Sequence, residues 1–187
     1  MTKYFLSCEF INGPTIDLIS IGIVEGDREY YAENLNVDLA KLRNWGKQKN
    51  DVVSALWSRQ SDKSEFNRWS RDGGLGGLLS REEINRDVSI FCSPQTYGEP
   101  EFWASYAGYD YNPLCRLLGS LGLPKETAPN SIRREGDRLG NPKLPDRSGA
   151  PSNALAAARW NQAAWEFLHQ FEESQRSLMA PDIKPNF

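Results

Sequence analysis

The chain is short of the residues from which metal and redox sites are commonly built. One histidine, His169, stands among 187 residues. A His-rich metal site is therefore excluded, and a Ser-His-Asp triad would have to turn on that single ring. Its surroundings, WEFLHQF, predict a helix in which His169 is a packing or surface residue. The three cysteines, Cys8, Cys92 and Cys115, are odd in number and show no CxxC spacing. That argues against a disulfide framework or a zinc site and reads as buried, reduced thiols of a cytosolic protein. No apolar run approaches the ~18 residues of a membrane span. The first residues, MTKYFLSCEF, show no charged leader before a long apolar stretch, so no signal peptide is expected. The expected location is cytoplasmic, with no membrane contact. Gly and Pro number 15 and 11, too few for a collagen-like or low-complexity chain. Positive charge is not in excess either. Lys and Arg total 22 against 25 Asp and Glu, a formal net charge of -3, which excludes a strongly basic nucleic-acid-coating protein.

What is there is an ordinary globular composition, 39% hydrophobic, 25% charged and 11% aromatic. The length fits one domain over residues 1–187. Charge is unevenly spread. Residues 1–35 carry two basic and six acidic side chains, whereas 133–147 carry five basic (Arg133, Arg134, Arg138, Lys143, Arg147) and three acidic. That second stretch is either a phosphate-contacting loop or a solvated loop of mixed charge.

Local patterning predicts the elements. Residues 4–11 form a short apolar strand, and Asn12-Gly13-Pro14 carries turn chemistry. Residues 16–24 are β-branched and predict a second strand, turned at Glu25-Gly26-Asp27 into a third over 28–32. Helices are expected over 38–45 and around 52–57. Residues 58–81, rich in mixed charge and holding Gly73-Gly74-Leu75-Gly76-Gly77, read as a flexible insert. The glycines lack the GxxxxGK[ST] spacing that cradles phosphate. A short helix over 82–91 follows, then an aromatic strand over 102–107 ending at Gly108-Tyr109-Asp110. Helical spacing resumes over 111–119. Residues 122–151 are Pro-rich and irregular. The clearest helix runs from Asn153 to about Ser177, with Ser152 or Asn153 as its N-cap. Residues 179–187 form a tail.

The segments YFLSCEFI (4–11), TIDLISIGIV (15–24), REYYAE (28–33), FWASYAGYDYNPLCRLLG (102–119), LGLP (121–124) and ALAAARWN (154–161) occur in a telling order and spacing. Together they resemble the DEDD-type 3′–5′ exonucleases, and more closely the small bacterial exoribonuclease group of the DEDDh type related to mycobacterial and phage enzymes. The resemblance covers about half of the chain. It implies an α/β fold, ribonuclease H-like, with a mixed central sheet of about five strands and helices on both faces. It also implies a chemistry. Two divalent cations roughly 4 Å apart activate a water and stabilise the leaving oxygen of an in-line displacement at phosphorus. Hard cations of this kind are held by carboxylate oxygens. The family supplies an Asp-x-Glu pair on the first strand, an Asp at the middle strand–helix junction and an Asp on the last helix. A histidine five residues before that last Asp serves as general base.

Carried over position by position, the resemblance keeps two of these residues and loses three. The Asp-x-Glu pair falls on Ser7-Cys8-Glu9, and the middle aspartate on Asp110. The last motif falls on residues 152–159, placing Ser152 at the general base and Ala157 at the final aspartate. Glu9 and Asp110 would hold one Mg²⁺ or Mn²⁺ at most, and weakly. Each also has a plain structural reading, Glu9 as a strand carboxylate and Asp110 as a helix N-cap. Trp103, Tyr106, Tyr109 and Tyr111 are either base-stacking or core residues.

The expectation is a catalytically inactive DEDDh relative, a pseudoenzyme that requires no cofactor. Its former active-site cleft would bind single-stranded RNA, a nucleotide or a nucleotide-like signal through Phe10, Tyr109, Arg133, Arg134, Arg138 and Arg147. The alternatives are a protein-interaction or inhibitor module, with a protein partner on residues 58–81 or the tail, and a residual metal-dependent 3′–5′ exoribonuclease.

Overall fold

The computed structural model describes residues 1–11, 17–38, 54–108, 110, 129–147 and 153–179. Its sequence opens with three strands, β1 (Thr2–Ile11), β2 (Asp17–Glu25) and β3 (Arg28–Asn34). They pair antiparallel in chain order; β2 is β-branched, and β1 and β3 are rich in the aromatic residues that favour strands. Helix α1 (Ser64–Arg71) leads to β4 (Leu75–Leu79), which adds parallel to β3. Helix α2 (Arg81–Phe91) follows, then a one-turn helix α3 (Pro94–Tyr97) and β5 (Pro100–Ala104). The strand β5 lies parallel to β1, on the opposite side from β2. A two-residue β6 (Asn130–Ser131), helix α4 (Ile132–Arg138) and the long α5 (Ala154–Met179) complete the described chain. The result is a mixed six-stranded sheet in the order β4-β3-β2-β1-β5-β6. It is an α/β fold of ribonuclease H-like arrangement.

Strand alternation decides which helix each face receives. Tyr4, Leu6 and Cys8 of β1 point to one face, where they join Ile21, Ile23, Tyr30 and Phe102 against Ile84, Val88 and Phe91 of α2. Phe5 points to the other face, with Val24 and Tyr31, against Leu155 and Ala158 of α5 and the rings of Trp57 and Trp69. Two cores result, one on each side of the sheet. The start of α2 is fixed by a reciprocal cap: Ser80 Oγ accepts from the Glu83 N–H at 3.3 Å, and Glu83 Oε2 accepts from the Ser80 N–H at 2.8 Å.

The helix α5 crosses β2 at Gly22. A Cβ at that position would stand 2.5 Å from the Ala154 carbonyl and the Leu155 Cα. Only the missing side chain lets the helix backbone lie directly on the strand. Asn153 caps the helix, its Oδ1 accepting from the Ala156 N–H at 2.8 Å. The start of α5 is therefore held tightly against the centre of the sheet.

Residues 58–81, expected as a flexible insert, contain α1 and the edge strand β4 instead. Phe66 and Trp69 of α1 pack with Trp57, and Trp69 and Trp57 meet Tyr31 edge-on. Part of the glycine cluster serves close approach: Gly76 has φ +119°, and a Cβ there would fall 2.0 Å from the Tyr31 carbonyl oxygen. The sheet thereby gains a sixth strand. The turn at 12–14, the helix over 111–119, most of the stretch over 38–53 and the tail from 180 lie outside the described residues. Among the described residues, no helix is long and apolar enough to cross a membrane.

Candidate functional site

Six of the sequence-predicted site positions meet in one hollow. Ser7, Glu9 and Phe10 of β1, Asp110 beyond β5, Ala157 of α5 and Arg147 line a cavity of about 460 Å³. The remaining lining residues are Cys8, Ser105, Tyr106 and Asn161. Two strand features aim β1 at this place. Ser7 and Glu9 alternate to the α5 face, and the β1–β2 register shifts between Glu9 and Phe10. Irregularities of this kind re-aim side chains at functional edges. Phe10 also packs against the core on the α2 side, so it serves both the interior and the rim. Ser152 and Tyr109 lie outside the described residues.

Asp110 is buried, 7% exposed. Its Oδ1 accepts the Cys8 backbone N–H at 2.8 Å, which binds a residue six positions past the end of β5 to the middle of β1. Burial pushes its carboxyl up to about 6, against the opposing pull of the Cys8 N–H and the Arg147 guanidinium. The Cys8 thiol is pushed well up by its own burial and then by the charges of Asp110 and Glu9. It is no thiolate nucleophile near neutral pH.

Arg147 reaches the hollow because its segment is pinned to α5. The Trp160 indole N–H donates to the Pro145 carbonyl at 3.0 Å, and the Arg147 guanidinium lies 5.9 Å from the Trp160 ring centre. The other predicted arginines divide. Arg133 and Arg134 border an adjoining hollow that shares Ser105 and Tyr106 with the first. Arg138 lines neither hollow and is bound in ion pairs with Glu135 and Glu172.

Asn161 escaped the sequence reading, and Tyr106 was left undecided by it. Asn161 stands one turn beyond Ala157 on the same face of α5, and its Nδ2 donates to the Leu6 carbonyl at 2.8 Å. Its buried Oδ1 has no hydrogen-bond partner among the described residues. The signal was a polar residue four positions after Ala157 within an apolar helix stripe. Tyr106 was one of four ambiguous aromatics. Phe102 of β5 is core, whereas Tyr106, two residues past the strand, stands 51% exposed at the junction of the two hollows. His169 is twelve residues beyond Ala157, about 18 Å along the helix axis, where it stacks on Trp165.

Do these residues fit two divalent cations? Two carboxylates line the hollow, Glu9 and Asp110. Among the described residues no group of three or more His, Cys, Asp or Glu side chains stands together as a metal site. Ala157 offers no side-chain donor atom, and Asn161, its nitrogen held by Leu6, could offer only a neutral amide oxygen. Two dications ~4 Å apart repel by about 16 kcal/mol at an effective dielectric near 20. A serine hydroxyl at position 7 supplies no charge against that repulsion. Among the described residues the donor set does not fit a two-metal centre.

A family model described as the 3′-5′ exoribonuclease Rv2179c-like domain matches residues 2–169. Two relatives from Mycobacterium tuberculosis, 3′-5′ exoribonucleases of strains H37Rv and CDC 1551, are each 31% identical to the chain over 162 residues. Each match covers 84% of this chain and 87% of the relative.

Proposed function

Since the chain belongs to the Rv2179c-like 3′-5′ exoribonuclease family, we propose that it keeps the family's cleft as a binding site for the end of a single-stranded RNA, or for a nucleotide, without hydrolysing it. The observation that carries this reading is the composition of the hollow. Ser7, Glu9, Asp110 and Ala157 line it together, which supports a cleft where the positions expected from the resemblance stand side by side with two of their carboxylates replaced. A neutral Ser7 and an apolar Ala157 also repel phosphate less than two aspartates would, and Arg147 attracts it. Binding then needs no metal, whereas cleavage would.

The first test is labelled single-stranded RNA incubated with the protein and Mn²⁺, run in parallel on native and denaturing gels. A shifted band containing full-length RNA is expected. Shortened RNA that disappears in Glu9→Ala would overturn the reading and assign a rebuilt metal site. An unshifted, full-length RNA would remove RNA as the ligand and favour a protein partner.

A further inference from the structure

A separate hollow lies on the α5 side of the sheet, where the β2–β3 turn, α1 and the α1–β4 connection meet. It measures about 280 Å³ and shares no lining residue with the hollow of Glu9 and Asp110. Asp27 on its lining follows the Glu25 end of β2, whereas Glu9 pairs with Ser20 toward the other end. The two sites are therefore at opposite ends of that strand.

The buried part of this lining is two indoles. Trp57 and Trp69 are 3% and 7% exposed, and both border the hollow. Neither ring N–H has a hydrogen-bond acceptor among the described residues. A buried N–H left unpaired keeps the full cost of its lost hydration. Two of them beside one hollow point to an acceptor that enters it. The rings are also held in place. Trp57, Trp69 and Phe66 pack on one another, both indoles meet Tyr31, and a Cβ at Gly74 would stand 2.5 Å from Trp69 Nε1.

The charged groups stand outside the indoles. Glu29 and Arg159 are engaged with each other in a two-pronged pair at 2.6 and 2.7 Å. Asp27, Glu65, Asp72 and Arg68 are exposed and form no ion pair among the described residues. Three carboxylates against one guanidinium make the mouth acidic, which attracts cations and turns a phosphate backbone away.

We propose that this hollow binds a free basic amino acid of the arginine or lysine kind. Such a molecule carries two cations and one carboxylate, the complement of what the lining offers. Its cations answer Asp27, Glu65 and Asp72, and a guanidinium can take a carboxylate in a two-pronged contact. Its carboxylate answers Arg68 and supplies the acceptor that the indole N–H groups lack. The volume falls just short of the roughly 300–1,000 Å³ of drug-sized ligand pockets, in keeping with a ligand this small. The site needs nothing from the cleft and stands without it.

Calorimetric titrations with L-arginine, agmatine and L-citrulline test the assignment. Agmatine is arginine without its carboxylate, and citrulline lacks the side-chain charge. Arginine is expected to bind, and each of the other two about tenfold more weakly. Arg68→Ala, at an exposed position, should bring arginine down to the level of agmatine without weakening agmatine itself. Trp69→Phe keeps a ring, removes one N–H and should act in the same direction. Glu65→Gln with Asp72→Asn should bring arginine down to the level of citrulline. Thermal melts establish that each variant is folded. Absence of heat up to roughly 10 mM arginine would overturn the proposal and leave the indole N–H groups to water. Agmatine binding as tightly as arginine would overturn it too, since no carboxylate would then be recognised. An arginine preference that survives both Arg68→Ala and Trp69→Phe would place the binding elsewhere on the protein and refute this site.

Discussion

The backbone N–H of Cys8 donates to Asp110 Oδ1 at 2.8 Å, joining the middle of β1 to a residue six positions past the end of β5. Asp110 has thus a structural task that is separate from any ligand. One hydrogen bond does not offset its burial, and its carboxyl is pushed up to about 6 from an ordinary value near 4. The folded state therefore holds the proton more tightly than the unfolded chain. Below about pH 4 both states are protonated and there is no penalty; as pH rises through about 6 the folded carboxyl ionises and stability is lost. Asp110→Asn retains an Oδ1 acceptor for Cys8 and removes the charge. It is expected to raise stability above pH 6 by about 3 kcal/mol and to change nothing below pH 4. Urea unfolding across that pH range measures it, and a parallel offset at all pH values would refute the account.

Gly22 is the second point of dependence. The modest change Gly22→Ala would place a methyl group 2.5 Å from the backbone of Ala154 and Leu155. The helix α5 must then lift from β2, which costs about 3 kcal/mol as overpacking. Because the same helix carries Ala157 and Asn161 into the hollow, RNA affinity should fall along with the unfolding midpoint. A variant of unchanged midpoint would show that the helix is free to slide.

The first three strands, β5, α2 and α5 were legible in the sequence because each has a strong local signature. β2 is a β-branched run, β1, β3 and β5 are aromatic-rich, α2 has Ser80 and Glu83 at capping-box spacing, and α5 carries a long apolar stripe. The segment over 58–81 was not legible, because its order comes from distant partners. Trp69 is held by Tyr31 and Trp57, and Gly76 fits only because Tyr31 lies beneath it. Glycines that enable close approach look in sequence like glycines of a loop. In the site, Ser7, Glu9, Asp110 and Ala157 were found through the family resemblance, which fixes positions regardless of residue type. Asn161 depends on which side of its helix faces the hollow, which spacing alone did not single out, and spacing could not decide whether Tyr106 was exposed or core.

Arg147 is expected to be the principal phosphate contact of the first hollow, the one basic residue on that lining among the described residues. Its segment is anchored at Trp160 through Pro145, so removal of the guanidinium should leave the backbone in place. Arg147→Ala should weaken binding of single-stranded RNA about tenfold at low salt and reduce the slope of log affinity against log salt by about 0.7. Anisotropy titrations at several salt concentrations measure both. An unchanged slope would remove Arg147 from the phosphate path.

The last prediction asks whether the hollow has lost only its ligands. If Ser7 and Ala157 occupy the places of the two missing aspartates, Ser7→Asp with Ala157→Asp should return a metal site to a scaffold already shaped for it. Four carboxylates would then balance two dications, and the repulsion of about 16 kcal/mol between them would be offset. Adding Ser152→His supplies the expected base for water. In the unaltered protein Mn²⁺ should leave the melting temperature nearly unchanged. The double variant should be less stable than the parent without metal, since like charges crowd a partly buried space, and should be restored by Mn²⁺. The triple variant should shorten labelled RNA from its 3′ end, and Glu9→Ala in that background should abolish the shortening. If the double variant gains no metal-dependent stability, Ser7 and Ala157 do not stand where the missing ligands stood, and the correspondence drawn from the family is wrong at those positions.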